Sequence, residues 1–319
     1  MKKLRAAVIG VGRLGRYHAA KYAEHPDVDL VAVADVSEPS AREVAARFGC
    51  RALRDFREAL PGVDLVSVAV PTERHAEVVR ACLEAGVHVL VEKPITRTVE
   101  EADALIALAA ARGLHFAVGH IERYNPAFMA TRKALARPLF IESERLAEFQ
   151  PRVTDIDVIL DLMIHDIDLA LSLAHAEISV VIACGFKVIT DSIDIATAHI
   201  EFADGAVAQL SASRVSQAPV RKLRVFGRDG YASADLHGGR LREARRADDG
   251  AIVVEEHAFP DADALRAEIA SFVAAVRGEG TAIVSGTEGR RALALALEIN
   301  ERIAERLARL APDTARGRA

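Results

Sequence analysis

Ala6-Ala7-Val8-Ile9-Gly10-Val11-Gly12-Arg13-Leu14-Gly15 is the stretch whose reading decides the fold. A short apolar run leads into three glycines spaced G-x-G-x-x-G, and residues 13–24 then carry apolar positions at helical spacing. The glycines therefore sit at a strand-to-helix turn, the context in which this pattern has a physical meaning. Gly10 permits the tight turn, Gly12 lets the backbone approach a pyrophosphate, and Gly15 lets helix and strand pack closely. The helix start offers unpaired N–H groups and a positive dipole end to phosphates, which makes Arg13 and Leu14 contact candidates as well. The competing reading is an ordinary strand-to-helix turn. Asp35 weighs against it, because it ends the next apolar run, 20 residues past Gly15. A carboxylate there accepts from both ribose hydroxyls and repels a 2′-phosphate, so NAD is expected in preference to NADP. Arg42 is near enough in sequence to blur that preference. Asp35 has a bland alternative too, a helix cap, which Ser37 could provide equally well.

Working outward, strand patterns at 6–9, 30–34, 65–70, 87–91 and 116–118 alternate with helical patterns at 13–24, 39–48, 74–85 and 99–111. This is the signature of βαβ units and a parallel sheet covered on both faces. A helix from Pro126, a strand at 139–149 and a helix at 155–174 follow. Consecutive strands are then expected at 180–189, 196–202, 206–215, 222–227 and 231–236, and closing helices at 261–277 and 287–310. Asp204-Gly205 reads as a type I′ hairpin turn. The expected organisation is α/β: a Rossmann dinucleotide-binding domain at 1–119, an α+β domain on an open, mainly antiparallel sheet at 120–310, and a flexible tail at 311–319.

The chain has 319 residues, 51% hydrophobic and 27% charged, with a net charge of −5. Two domains suit that length, and the acidic balance provides no field to recruit nucleic acid or an anionic membrane. Cys50, Cys82 and Cys184 have neither metal-ligand nor redox spacing and read as reduced thiols. No apolar run approaches the length of a membrane span, so a cytoplasmic location is expected.

Glu92-Lys93-Pro94 follows directly on the apolar run 87–91 and places one cation at the carboxyl end of a strand. Ligands of open α/β sheets bind outside those ends, and proline biases the lysine toward extended backbone. Farther on, Asp161 and His165 stand at i and i+4 in a predicted helix, so a base and its orienting carboxylate share one face. An imidazole titrates near neutrality, as removal of an alcohol proton requires. A purely local helix pair is the competing account. A metal site using Asp168 as well lacks a second cluster to complete its shell, so no metal is expected. His120, Arg123, Tyr124 and Asn125 follow the last parallel strand and are candidates for substrate binding, although Asn125-Pro126 also reads as a helix start.

The glycine loop, Asp35, Pro71-Thr72 with His75, Glu92-Lys93-Pro94 and Asp161-Leu162-Met163-Ile164-His165, in this order, resemble the Gfo/Idh/MocA oxidoreductases over nearly the whole length. The resemblance implies NAD(P) on the first domain, a sugar or polyol substrate, and dimers or tetramers formed through the open sheet. It implies that Lys93 lies beside the nicotinamide and the reacting hydroxyl, often before a cis proline bond, with Glu92 on the nicotinamide ribose. Pro71, Thr72 and His75 would line the cofactor. Lys93, Asp161 and His165 would carry catalysis, and Lys93 and His165 would also touch substrate. Within the family, residues 120–126 and 161–169 resemble the branch acting on nucleotide-activated amino sugars, which implies oxidation at C3 of a UDP-N-acetyl sugar. Arg123, Arg152 and Arg214 are then candidates for a pyrophosphate. The alternatives are an inositol or free-sugar dehydrogenase and a dinucleotide-binding regulator without catalysis.

Overall fold

The computed structural model describes residues 2–150, 156–228, 230–247, 249–282 and 284–310. Arg152 and the predicted tail at 311–319 lie outside the described residues. Two compact units result: Met1–Asn125 with Asp261–Leu293, and Pro126–Pro260 with the chain from Ala294 onward. This differs from a continuous second domain at 120–310, because the segment after Pro260 returns to the first unit.

The first unit is built on β1 (Leu4–Ile9), β2 (Val28–Ala34), β3 (Arg51–Leu53), β4 (Leu65–Val68), β5 (His88–Glu92) and β6 (Phe116–Gly119). These form one parallel sheet in the order β3-β2-β1-β4-β5-β6, a doubly wound Rossmann sheet whose order reverses beside β1. Its central strands are buried on both faces, which explains their unbroken Val, Ala and Leu runs. Crossovers run through α1 (Arg13–Glu24), α2 (Glu38–Phe48), α3 (His75–Glu84) and α4 (Val99–Ala111). Thr98 and Glu101 close a capping box that starts α4, and Gly49, at φ +68°, ends α2. The sequence patterns missed β3, a three-residue edge strand too short to show periodicity.

The second unit opens with α5 (Pro126–Ala134), β7 (Phe140–Leu146) and α6 (Ile164–Leu173). Seven strands follow: β8 (Ile178–Phe186), β9 (Ile195–Phe202), β10 (Val207–Ser213), β11 (Val220–Phe226), β12 (Gly230–Asp235), β13 (Arg240–Arg246) and β14 (Ile252–Ala258). With β7 they form an eight-stranded sheet, antiparallel except where β10 runs parallel to β7. Burial alternates along β7 and β9, so one face is packed and the other is open. β13 and β14 escaped the sequence reading because charged residues occupy most of β13, and β14 carries Glu255 and Glu256 and has no buried position to mark an alternation.

The β9–β10 hairpin does not carry a type I′ turn. The Gly205 N–H donates to the Phe202 carbonyl and the Phe202 N–H to the Ala206 carbonyl, and Gly205, not Asp204, has positive φ. That is a three-residue loop with a left-handed glycine, and Asp204 instead accepts from the Ala206 N–H. The chain then forms α7 (Ala264–Val276) and α8 (Gly286–Leu310). α7 packs Ile269, Phe272 and Val273 into the first unit's core with Val8, Leu65 and Leu90.

Candidate active site

Each glycine of the loop has its own reason. Gly10 has φ +86°, and a Cβ there would stand 2.6 Å from the Ala69 carbonyl oxygen. A Cβ on Gly15 would stand 1.8 Å from the Gly10 oxygen, so α1 packs against its own approach turn. A Cβ on Gly12 would meet nothing within 4 Å, which leaves open space directly over the helix start. No side chain caps α1 at Gly12, so its first N–H groups face that space without a side-chain acceptor. Open space, free amides and a dipole end together fit the pyrophosphate of a dinucleotide. Arg13 and Leu14 are exposed at the same place.

Asp35 directly follows β2 and accepts from the Val11 N–H at 2.8 Å and from the Ser37 N–H at 2.8 Å. It therefore ties the glycine loop to the second strand and is not the cap of α2, whose cap position is Ser37. Arg42 is ion-paired to Glu38 on the exposed face of α2, so its charge is engaged locally.

At the ends of β4 and β5, Pro71 is exposed and Thr72 half-buried in a short 3-10 turn. His75 is buried behind them, with Nδ1 2.8 Å from the Pro94 carbonyl and Nε2 3.0 Å from the Val70 carbonyl. A neutral ring donates to one of these carbonyls and stands in contact with the other, between the two strand ends. Burial pushes its pKa below the usual imidazole value, and the two carbonyl contacts pull the other way. The Lys93–Pro94 bond is cis, as the resemblance implied.

Glu92 is the centre of a buried polar cluster that the motif reading missed. Its Oε1 lies 3.0 Å from His18 Nε2, and its Oε2 accepts from the Lys93 backbone N–H at 3.2 Å. His18 Nδ1 lies 3.0 Å from Ser67 Oγ, which lies 2.9 Å from the Tyr22 hydroxyl. A carboxylate only accepts, so His18 Nε2 carries the proton and donates to Glu92. Burial alone would raise the Glu92 pKa, but the His18 hydrogen bond and charge, with Lys93 close by, hold it below the usual range. Gly119 makes room for this, since a Cβ there would stand 3.3 Å from the Glu92 carboxylate. A signal did exist in sequence: Gly15, His18, Ala19 and Tyr22 form one buried face of α1.

After β6 the chain makes a 3-10 turn, Ile121–Tyr124. His120 just before it and Arg123 and Tyr124 within it are buried. Arg123 is 2.7 Å from Glu288, so its charge is committed within the first unit. Asn125 donates through Nδ2 to Glu122 at 3.2 Å, while Pro126 opens α5.

In the second unit, Asp161 does not stand in a regular α-helix. It lies in a π-helical turn, Ile159–Met163, and His165 lies in the first turn of α6. π-turns are rare and occur mostly as single turns, often at functional sites. Asp161 and His165 are half-buried, whereas Met163, Ile164 and Asp166 are buried, so the pair lies on the less covered side of this segment. Asp157 accepts from the Ile159 and Leu160 N–H groups at 2.9 Å each and from Asn300 Nδ2 at 3.0 Å, which starts the turn.

Two buried ion pairs hold the segment. Asp166 receives Arg145 Nε at 2.8 Å and the Ser143 hydroxyl at 2.8 Å, fastening α6 to β7. Arg214 Nε meets Asp194 at 2.8 Å, and Arg214 also donates to the Ile156 carbonyl. Arg214 is thus a buried structural cation, not a surface group available to a phosphate. Among the described residues, the potential metal-ligand group is Glu243, Glu255 and His257 on the exposed β13–β14 hairpin, apart in sequence from Asp161, His165 and Asp168. No described helix is long and apolar enough to cross a membrane.

A family model described as "Oxidoreductase family, NAD-binding Rossmann fold" matches residues 4–120, and one described as "GFO/IDH/MocA C-terminal domain" matches 141–233. The chain is 45% identical, over 94% of its length and 97% of the relative's, to UDP-N-acetylglucosamine 3-dehydrogenase of Acidithiobacillus ferrooxidans. It is 29% identical, over 95% and 98%, to an inositol 2-dehydrogenase of Rhizobium meliloti. A solved structure of the Acidithiobacillus enzyme superposes with a TM-score of 0.90 at 44% identity, covering 96% of this chain and 99% of that one. With its NAD-binding Rossmann unit and mainly antiparallel second sheet, this chain belongs to the Gfo/Idh/MocA family and is an NAD-dependent oxidoreductase.

Proposed function

We propose that the protein oxidises a ring hydroxyl of a nucleotide-activated amino sugar, at C3 of a UDP-N-acetyl sugar. The observation that carries this reading is the 45% identity, over nearly the full length of both chains, to a UDP-N-acetylglucosamine 3-dehydrogenase. Bound NAD supplies the acceptor for the hydride that leaves the carbinol carbon. The chain's own residues deal with the rest: holding the cofactor, taking the hydroxyl proton and stabilising the charge that develops on oxygen.

Gly10, Gly12, Arg13 and Leu14 receive the pyrophosphate, and Asp35 receives the adenosine ribose. Glu92, already anionic and fixed by His18, contacts the nicotinamide ribose, with Pro71 and Thr72 alongside. His75 contributes by standing between the Val70 and Pro94 carbonyls, donating to one of them, beside the turn that carries Lys93. Lys93 stabilises the developing alkoxide through charge and hydrogen bonding. His165 is the base for the hydroxyl proton, and Asp161 orients it. His120, Tyr124, Asn125 and Arg123 shape the substrate end. Arg123 does so through its pair with Glu288.

A cytoplasmic homodimer or homotetramer completes the reading. Reduced thiols at Cys50, Cys82 and Cys184 suit a reducing compartment, and burial pushes Cys82 up to about 12, away from reactivity. The exposed Ile182, Phe186 and Ile195 at the β8–β9 edge of the second sheet support assembly.

Reduction of NAD, followed at its absorbance, tests the substrate class across UDP-sugars and polyols. Turnover with UDP-N-acetylglucosamine and none with myo-inositol is expected. The reverse pattern would replace this reading with an inositol dehydrogenase, and no turnover on either class would favour a non-catalytic regulator.

A further inference from the structure

Glu268 is a carboxyl group inside an apolar core. It precedes Ile269 on α7, is 1% exposed, and shares its helix with core residues Phe272 and Val273. Among the described residues, neither of its oxygens has a hydrogen-bond partner. An ionised carboxylate cannot be kept out of water without such partners, so a group placed this way keeps its proton.

The surroundings reinforce this. α1, packed on α7, contributes the buried His18 and Tyr22, and the 3-10 turn Ile121–Tyr124 contributes the buried Glu122 and Arg123, the latter paired with Glu288. Lys21 is held at the rim by Asp263 and Glu24. Burial first, and then the charge of Glu92, push the Glu268 pKa well above the usual carboxylate range. Tyr22 is raised in the same way, by burial and by the proximity of Glu268. Glu92 and Glu268 thus lie in one buried neighbourhood with opposite assignments. Glu92 is ionised, with His18 and the Lys93 amide to serve it, and Glu268 is neutral, without comparable donors.

We propose that Glu268 is a positioning residue for the nicotinamide end of the site: by remaining a neutral acid it leaves the Glu92 carboxylate undisturbed in its contacts with His18 and the Lys93 amide, and its ionisation displaces Glu92 from that arrangement. The proposal rests on the reading that Glu92 contacts the cofactor. It deepens that reading by adding a residue from the segment after Pro260.

The test measures NADH affinity by fluorescence on the full-length protein, across a window of about pH 6 to 10 that brackets where buried glutamic acids titrate. Wild type, Glu268→Gln, Glu268→Leu and Glu92→Gln are compared. Wild-type affinity is expected to weaken about tenfold toward the alkaline end, as expected for two like charges in a buried site, while both Glu268 variants stay flat. Infrared spectra at neutral pH supply a second readout: the carbonyl stretch of a protonated carboxylic acid, present in wild type and lost in Glu268→Gln. Glu268 variants that retain the wild-type pH profile, or an infrared band that survives Glu268→Gln, would overturn the proposal. A different failure, Glu92→Gln binding NADH as wild type does throughout, would overturn the placement of Glu92 at the cofactor and the role of Glu268 with it.

Discussion

At the scale of single residues, the site divides into groups that meet a ligand and groups that hold them. With Lys93 and His165 in the roles proposed above, alanine at either should lower kcat by about 10²-fold or more, the usual cost of losing charge stabilisation or a general base. NADH affinity should change far less than kcat. Steady-state kinetics beside NADH titration checks this, and near-normal turnover by either variant would remove that residue from the mechanism. Asp35 makes a separate prediction. Its carboxylate accepts from the Val11 and Ser37 amides and so presents a fixed negative charge beside the loop. Asp35→Ser should raise KM for NAD well above that for NADP; an unchanged ratio would contradict the assignment. Arg42 does not offset the change, because Glu38 already holds it.

At the scale of elements, the segment carrying Asp161 is held less by helix propensity than by anchors on both sides. Asp157 starts the π-turn, the Val158 N–H donates to the Ile193 carbonyl at 2.9 Å, and Asp166 fastens the helix that follows. Asp194 anchors the loop before β9 as well as Arg214. Burial alone would raise its pKa, but the Thr190 and Ile189 amides, the Thr190 hydroxyl and the Val188 amide hold it far below the usual range. Because the folded pKa is depressed, this stabilisation is fully present above the unfolded value of about 3.9 and is lost as pH falls through the folded one. Asp194→Asn should therefore cost about 3 kcal/mol at pH 7, the lower end for breaking a buried ion pair. In urea denaturation, the gap to wild type should narrow below about pH 4; a gap independent of pH would show that Asp194 acts through shape rather than charge.

At the scale of the whole molecule, the β8–β9 edge of the second sheet exposes Ile182, Phe186 and Ile195, the last two paired across the strands, a patch of large apolar side chains that a solvated sheet face does not need. If that patch joins copies of the chain, Phe186→Glu should shift the mass measured by light scattering toward the monomer, whereas an unchanged mass would place the interface elsewhere. Much of the first unit was legible in sequence, because the signals there are local. Buried parallel strands read as apolar runs, the glycines sit in one strand-to-helix turn where Gly15 packs on Gly10, and Lys93 is placed by the strand it follows. The second unit was legible in outline only. Charged β13 and β14 carried no apolar alternation, and the π-turn looks in sequence like the helix it interrupts. What sequence alone determined is the family, the NAD-binding fold and the residue types at the strand ends, since each depends on neighbours close along the chain. Tertiary structure alone decided that Arg123 and Arg214 are committed to Glu288 and Asp194, that His18 serves Glu92, and that the segment after Pro260 returns to the Rossmann core with Glu268. Those pairings join residues far apart in sequence, and burial, which sets the charge on each carboxyl group, exists only once they have been brought together.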